Sequence, residues 1–142
     1  EARAPLLRER VPGGHVVDGH GDLRPEHVCL NDPPVVIDCL EFSAELRQVD
    51  PFDELAYLGL ECAVIGAPWV ARRLIEGAAA ALGGRPADEL IQLYTANRAV
   101  LRARLAVAHL LDPQPRTPER WIPQGERYLT QANSALDALD RG

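Results

Sequence analysis

Two carboxylates separated by sixteen positions are the residues with the clearest chemical use. Asp22 lies in a polar, turn-rich loop that runs from His20 to His27, and Asp38 ends a short apolar run. A hairpin between them would return the chain to its origin and place both carboxylates at the same end of a small sheet. One could then act on a substrate hydroxyl while the other holds a cation, which is the arrangement that phosphoryl transfer needs.

Short strands must position these carboxylates. The runs at residues 15–18, 27–30 and 35–38 are β-branched or apolar and predict three strands. The turn Asn31-Asp32-Pro33-Pro34 separates the second run from the third, so these two are predicted to pair as a hairpin.

Four helices are predicted to support the small sheet. The first begins at Asp50, a good N-cap before Pro51, and ends at Gly66, with Leu55, Leu58, Cys62 and Ile65 as its buried stripe. The second runs from Pro68 to the glycine pair at 83–84, the third from about residue 86 to 111, and the fourth from about 118 to 139. The second half of the chain is therefore predicted to be a helical body.

Three motifs in this order resemble the aminoglycoside phosphotransferase and choline kinase family, which has the protein-kinase fold. His20-Gly21-Asp22 stands in the place of the family's catalytic loop, and Val36-Ile37-Asp38 in the place of its metal-binding strand end. Asp50-Pro51-Phe52-Asp53-Glu54-Leu55-Ala56 is similar to the family's Asp-Pro-x-x-Asp-Leu-Ala helix start. The match covers residues 15–60 well, and the later helices fit the family's helical lobe only in kind.

The resemblance implies a fold that is α+β and mostly helical, the C-terminal lobe of a protein-kinase-like fold with a short β-hairpin carrying the catalytic loop. Residues 1–14 would be a linker from a missing N-terminal lobe, and residues 15–142 the lobe itself. Asp22 would be the catalytic base for a small-molecule hydroxyl, Asp38 would bind Mg²⁺, and ATP or GTP would be the donor. Of the other polar residues, His20 is expected to brace the loop, and Glu41 either assists the metal or faces solvent.

Two departures from the family pattern bear on activity. The family usually has asparagine as a metal ligand five positions after the catalytic aspartate, where this chain has His27. Because Mg²⁺ accepts imidazole poorly, either one metal site is weakened or His27 donates a hydrogen bond to phosphate or to Asp22. The chain also contains no lysine, so the lysine with which the family's N-terminal lobe grips the nucleotide is absent. The isolated chain is expected to be inactive.

Composition and net charge narrow the classes of function and partner that remain. The 142 residues suit one domain, and a net charge of −6 with scattered arginines disfavours nucleic acid as a partner. No apolar run approaches the roughly 18 residues of a membrane span. Three cysteines without a C-x-x-C pair indicate reduced thiols and a cytoplasmic protein, and the absence of methionine indicates a processed product or a fragment. The sequence does not identify the acceptor substrate, although the negative net charge is compatible with a cationic acceptor such as an aminosugar or choline.

Two other functions compete with the phosphotransferase. Asp18-Gly19-His20-Gly21-Asp22 is similar to the opening of the membrane dipeptidase family, in which a His-x-Asp pair on a strand binds zinc. That family needs a barrel of about 250 residues, which this chain is too short to form. The other alternative is a non-catalytic, degenerate kinase-like lobe that only binds a partner or small molecule. His27 and the missing nucleotide lobe favour it, while the presence of both Asp22 and Asp38 argues against it.

Overall fold

The structure is a computed structural model that describes residues 3–141, so two residues of the predicted linker and the last residue of the predicted lobe lie outside it. Within that range the fold is α+β and mostly helical, with five α-helices and four two-residue strands. In chain order the elements are α1 (Ala4–Arg8), β1 (Val17–Asp18), β2 (Val28–Cys29), β3 (Val35–Val36), β4 (Gln48–Val49), α2 (Pro51–Val64), α3 (Trp69–Leu82), α4 (Asp88–Ala108) and α5 (Pro118–Arg141). Single 3₁₀ turns lie at Pro25–His27, Glu45–Arg47 and His109–Leu111.

The strands form two separate antiparallel pairs. β2 and β3 make the predicted hairpin, with Val28 opposite Val36 and Cys29 opposite Val35. β1 pairs instead with β4, a strand that the sequence did not predict, with Val17 opposite Val49. The predicted strands are also shorter than expected, because the second starts only after the 3₁₀ turn and the third ends before Asp38. The first pair therefore leads the chain into the polar loop, and the second pair leads it back.

The helix boundaries follow the local signals in the sequence. Asp50 caps α2 by accepting a hydrogen bond from the Phe52 amide at 2.9 Å. Gly83 ends α3 in the left-handed conformation at φ 74°, which glycine adopts without strain. The predicted stripe of α2 is partly wrong: Leu58 and Cys62 are buried, but Ile65 lies past the last turn and is 70% exposed.

Small residues form the buried face of α4. The buried positions include Ala96, Ala99, Ala103 and Ala106, which allow α4 to pack closely along α5 and against α2. The leucines and valine between them point outward, and Leu101 and Leu105 are 40% and 46% exposed. Over residues 96–106 the core therefore uses the alanines of this helix, and the larger apolar side chains of that stretch remain at the surface.

The described part of the predicted linker packs against the helical body. Leu6 of α1 contacts the core cluster that contains Phe52, Ile75 and Tyr94. Arg10 pairs with the buried carboxylate of Asp50 at 2.5 Å, and this carboxylate also accepts a hydrogen bond from the Tyr94 hydroxyl at 2.9 Å. Residues 3–10 are thus fastened at the start of α2.

Two further observations concern the cysteines and the hydrophobicity of the helices. Cys29, Cys39 and Cys62 are all free thiols, as the sequence predicted. No helix between residues 3 and 141 combines the length and apolar composition that crossing a membrane requires.

The contact between α2 and α3 generates a prediction. A Cβ at Gly59 would lie 2.7 Å from the Cβ of Ala71, whereas a Cβ at Gly77 on α3 would meet nothing within 4 Å. Gly59→Ala should therefore force the helices apart and lower the free energy of unfolding by about 1–3 kcal/mol. Gly77→Ala should raise it by up to about 1 kcal/mol, because glycine costs entropy inside a helix. Urea denaturation of both variants checks this, and equal effects would show that α2 and α3 are not in close contact.

Candidate functional site

The first turn of α2 holds the loop that carries Asp22. Glu54 is only 8% exposed, and its carboxylate turns back from the helix toward this loop. Its two oxygens accept hydrogen bonds from consecutive backbone amides, that of His20 at 3.0 Å and that of Gly21. Because a buried carboxylate is costly without such donors, loop and helix stabilise each other.

Two glycines make room for this contact. A Cβ at Gly19 would lie 2.6 Å from Oε2 of Glu54, closer than non-bonded atoms approach. Gly21 has φ 86°, in the region that favours glycine, and a Cβ there would lie 2.8 Å from the Leu40 side chain. The glycine of the His-Gly-Asp motif is thus required both by its backbone conformation and by its neighbour.

His20 uses both ring nitrogens on the backbone of the site. Its Nε2 donates to the carbonyl of Ile37 at 2.7 Å, and its Nδ1 accepts from the amide of Asp22 at 3.3 Å. These partners assign the proton to Nε2. His20 and Asp22 flank a turn rather than following one another on an extended strand, so they do not form the shared zinc site that the dipeptidase resemblance implies.

His27 joins the two carboxylate-bearing segments. The residue is buried, and its Nδ1 donates to the backbone carbonyl of Asp22 at 2.9 Å. Its Nε2 lies 3.4 Å from Oδ2 of Asp38, and its ring stacks on that of His20 with centroids 5.4 Å apart. Of the alternatives left open by the sequence, the structure has the hydrogen bond to Asp22, through the main chain. His27 is a positioning residue in this arrangement.

The Asp22 side chain faces a cavity. The Tyr57 hydroxyl donates to its Oδ1 at 3.0 Å, which leaves Oδ2 without a protein donor among the described residues. The cavity has a volume of about 280 Å³, and its wall includes Asp22, Leu40, Leu101 and Leu105. Burial, and then the neighbouring carboxylates, raise the pKa of Tyr57 far above its usual value, so this hydroxyl stays a donor at neutral pH.

Asp38 has an unusual backbone conformation. Its φ of 62° lies in the left-handed region, which aspartate enters more readily than most residues, although at some cost. Its side chain is 78% exposed, and its Oδ2 lies 3.4 Å from Nε2 of the His27 ring. The strained backbone turns a carboxylate out to solvent beside the Asp22 loop.

The metal ligands proposed from the sequence do not converge as a set. Across residues 3–141, no three histidine, cysteine, aspartate or glutamate side chains are grouped so that they could hold an ion. Glu41 is exposed and makes no ion pair or side-chain hydrogen bond within that range. Mg²⁺, however, is commonly held by one or two carboxylates together with substrate phosphates and water, so the Asp38 carboxylate fits it. His27 does not, because both its nitrogens face oxygen atoms of the protein.

Two arginines of α4 close the site from the helical side. Arg98 forms a two-pronged ion pair with Asp53, and Arg102 pairs with Glu61 at 2.9 Å. Both arginines also line the cavity beside Asp22. Because carboxylates of α2 neutralise their charges, both arginines have a structural role in the lining of the cavity.

Sequence reasoning missed Glu54 and Tyr57, the two residues that fix the Asp22 loop. A signal was present for Glu54, because it lies one and two turns before Leu58 and Cys62 on the buried stripe of α2. A carboxylate on a buried stripe requires a buried partner. Tyr57 offers a weaker signal, because a buried tyrosine hydroxyl usually has a hydrogen-bond partner but the sequence does not identify it.

Comparison with known proteins finds relatives of undefined function. The chain is 33% identical over 114 residues to uncharacterised proteins of Mycobacterium bovis and of two Mycobacterium tuberculosis strains. Each alignment covers 80% of this chain but 23% of the relative, so the chain spans about a quarter of the length of these relatives. No protein-family description and no solved structure matches the chain.

The hydrogen bonds between Glu54 and the loop amides predict that removing the carboxylate lowers stability. In Glu54→Gln, one of the two loop amides loses its acceptor, so the free energy of unfolding should fall by about 1–3 kcal/mol. The amides of His20 and Gly21 should also exchange with deuterium faster. Glu126→Gln, at an exposed position of α5, is the matched control and should change stability by less than about 0.5 kcal/mol. Unchanged exchange at His20 and Gly21 in Glu54→Gln would contradict the contact.

The tyrosines predict a loss of stability at high pH. The chain has three, and burial raises the pKa of Tyr57, Tyr94 and Tyr128 above the usual value near 10. Above about pH 10 the unfolded chain releases phenolic protons that the folded chain keeps, so stability falls by up to about 1.4 kcal/mol per pH unit per tyrosine. Urea denaturation between about pH 9 and pH 11, followed with tyrosinate absorbance, measures this. Tyrosinate formed near pH 10 in folded protein would contradict the burial.

Proposed function

We propose that this chain supplies the acceptor-side lobe of an ATP-dependent phosphotransferase that acts on a small-molecule hydroxyl. The observation that carries the proposal is that His27 contacts both of the segments that carry Asp22 and Asp38. The Asp22 main chain accepts from one nitrogen of that ring, and the Asp38 carboxylate lies 3.4 Å from the other. The resemblance to the aminoglycoside phosphotransferase and choline kinase family gives both carboxylates a role.

Asp22 suits the role of base. The Tyr57 hydroxyl holds Oδ1 of its side chain, and Oδ2 is left to accept the proton of an acceptor hydroxyl. As that proton moves to Asp22, the acceptor oxygen bonds to the γ-phosphorus of ATP, and the bond from this phosphorus to the bridging oxygen breaks to release ADP. Such a step depends mainly on position, which the bond from Tyr57 and the fixed main chain of Asp22 help to provide.

Asp38 suits the role of cation ligand. Its exposed carboxylate can hold Mg²⁺ with the nucleotide phosphates, and that ion neutralises charge that develops during the transfer. His27, at the position where the family usually has an asparagine ligand, contacts the main chain of Asp22 and the carboxylate of Asp38.

Binding of the nucleotide requires a second lobe beside this one. The chain has no lysine, and the proposal assigns the grip on ATP or GTP to an N-terminal lobe of the same protein. The length of the mycobacterial relatives, about four times the matched segment, leaves room for such a lobe in them. On this account the chain by itself does not transfer phosphate.

One observation favours the second candidate, a non-catalytic binding module. No three metal-binding side chains converge within residues 3–141, and the position of the usual asparagine ligand is used as a structural tie. In that case Asp22 and its cavity would recognise a ligand without chemistry.

The test uses the protein at its full natural length, with Mg²⁺ and ATP. Asp22→Asn keeps an oxygen to accept from Tyr57 but removes the base, and ADP formation should fall by about 10²-fold or more. Asp137→Asn, exposed on α5, is the control and should keep the parent rate. Asp38→Asn should raise the Mg²⁺ concentration needed for half-maximal rate.

Full activity of Asp22→Asn would overturn the assignment of the base. Absence of ATP turnover in the full-length protein, with ligand binding that depends on Asp22, would favour the binding module.

A further inference from the structure

The cavity beside Asp22 has an apolar wall, which bears on the acceptor. Of the residues that line it, Leu40, Leu46, Leu101 and Leu105 are aliphatic. Three of these four leucines are 40% exposed or more, although α4 buries alanines elsewhere along its length. Large apolar side chains therefore surround the candidate base at a place where the core does not need them.

The charges around this cavity are almost all neutralised within the protein. Arg98 is paired with Asp53, and Arg102 with Glu61. Neither arginine is left to bind an anion, and neither carboxylate is left to bind an ammonium group. Asp22 is the one acidic side chain among the lining residues, and its Oδ1 accepts from the Tyr57 hydroxyl.

We infer that the acceptor is an uncharged alcohol with a compact apolar body, which lies against the leucines while its hydroxyl meets Oδ2 of Asp22. This inference rests on the proposed function. A cavity of about 280 Å³ is at the small end of ligand pockets and suits a body of about one ring. Because the acceptor hydroxyl occupies Asp22, an ammonium group on that body would meet no further acidic side chain among the lining residues, so cationic acceptors are disfavoured. This specificity differs from the cationic acceptor that the acidic net charge would allow.

The test compares two alcohols that differ by one charge. Benzyl alcohol and 4-(aminomethyl)benzyl alcohol are supplied to the full-length protein with Mg²⁺ and ATP. The increase in ADP formation over the rate without alcohol is measured, and we expect the neutral alcohol to be favoured by about tenfold or more in kcat/KM. An equal or greater response to the cationic alcohol would overturn the inference.

A carboxylate placed in the cavity wall should shift the preference from the neutral alcohol toward the cationic one. Leu105→Asp introduces a carboxylate into the cavity wall at a position that is 46% exposed, and it should shift the preference toward the cationic alcohol. Leu129→Asp is the matched control, since Leu129 is 48% exposed on α5 and does not line the cavity. It should leave the preference of the parent unchanged. The same shift in both variants would contradict the placement of the acceptor against α4.

Binding without turnover separates this inference from the proposed function. In methyl NMR spectra of the full-length protein, benzyl alcohol should shift the signals of Leu101 and Leu105, with or without ATP. If these signals shift but ADP formation does not depend on Asp22, the apolar site stands and the phosphotransferase does not. If ADP formation depends on Asp22 but neither signal shifts, the phosphotransferase stands and the apolar acceptor is wrong.

Discussion

The buried carboxylate of Glu54 is the interaction on which the candidate site depends. It removes a charge from water, and the amides of His20 and Gly21 offset that cost. The constraint acts in both directions, because the loop amides need the glutamate as their acceptor and the glutamate needs that turn for its donors. Gly19 and Gly21 follow from it, since side chains at these positions would collide with Glu54 or Leu40.

Helix α2 extends the same principle along its length. Asp50 at its start holds Arg10 and Tyr94, and Asp53 in the first turn holds Arg98. Further on, Tyr57 donates to Asp22, and Glu61 accepts from Tyr128 while pairing with Arg102. One helix therefore ties together the first described residues, the loop, α4 and α5. The buried ion pairs would be costly to break singly, because each would leave an uncompensated charge inside the protein.

Local signals predicted the parts of the fold that are decided locally. The hairpin of β2 and β3, the cap at Asp50 and the helix end at Gly83 each follow from a few neighbouring residues. Features that depend on distant contacts were missed or misplaced. β4 is two residues long and exists through its pairing with β1, and Arg98 looks like a surface residue until Asp53 is brought beside it.

The same division applies to the candidate site. The motif around Asp22 identified the loop, but its geometry depends on Glu54 and Tyr57, which lie more than thirty positions further along the chain. The identity of His27 left its role open, and only the approach of the Asp22 carbonyl and the Asp38 carboxylate defines it. Leu101 and Leu105 line the cavity because alanines occupy the core face of this part of α4, a distinction that apolar spacing alone does not make.

Paramagnetic relaxation from Mn²⁺ tests most directly whether Asp22 and Asp38 serve one reaction. With Mn²⁺ and ADP bound to the full-length protein, the amide signals of Ile37, Asp38 and Cys39 should broaden strongly. Those of Gly21 and Asp22 should broaden as well, because His27 ties the two segments together. Asp38→Asn should abolish both effects. Broadening confined to one segment, or unchanged in Asp38→Asn, would contradict a shared site.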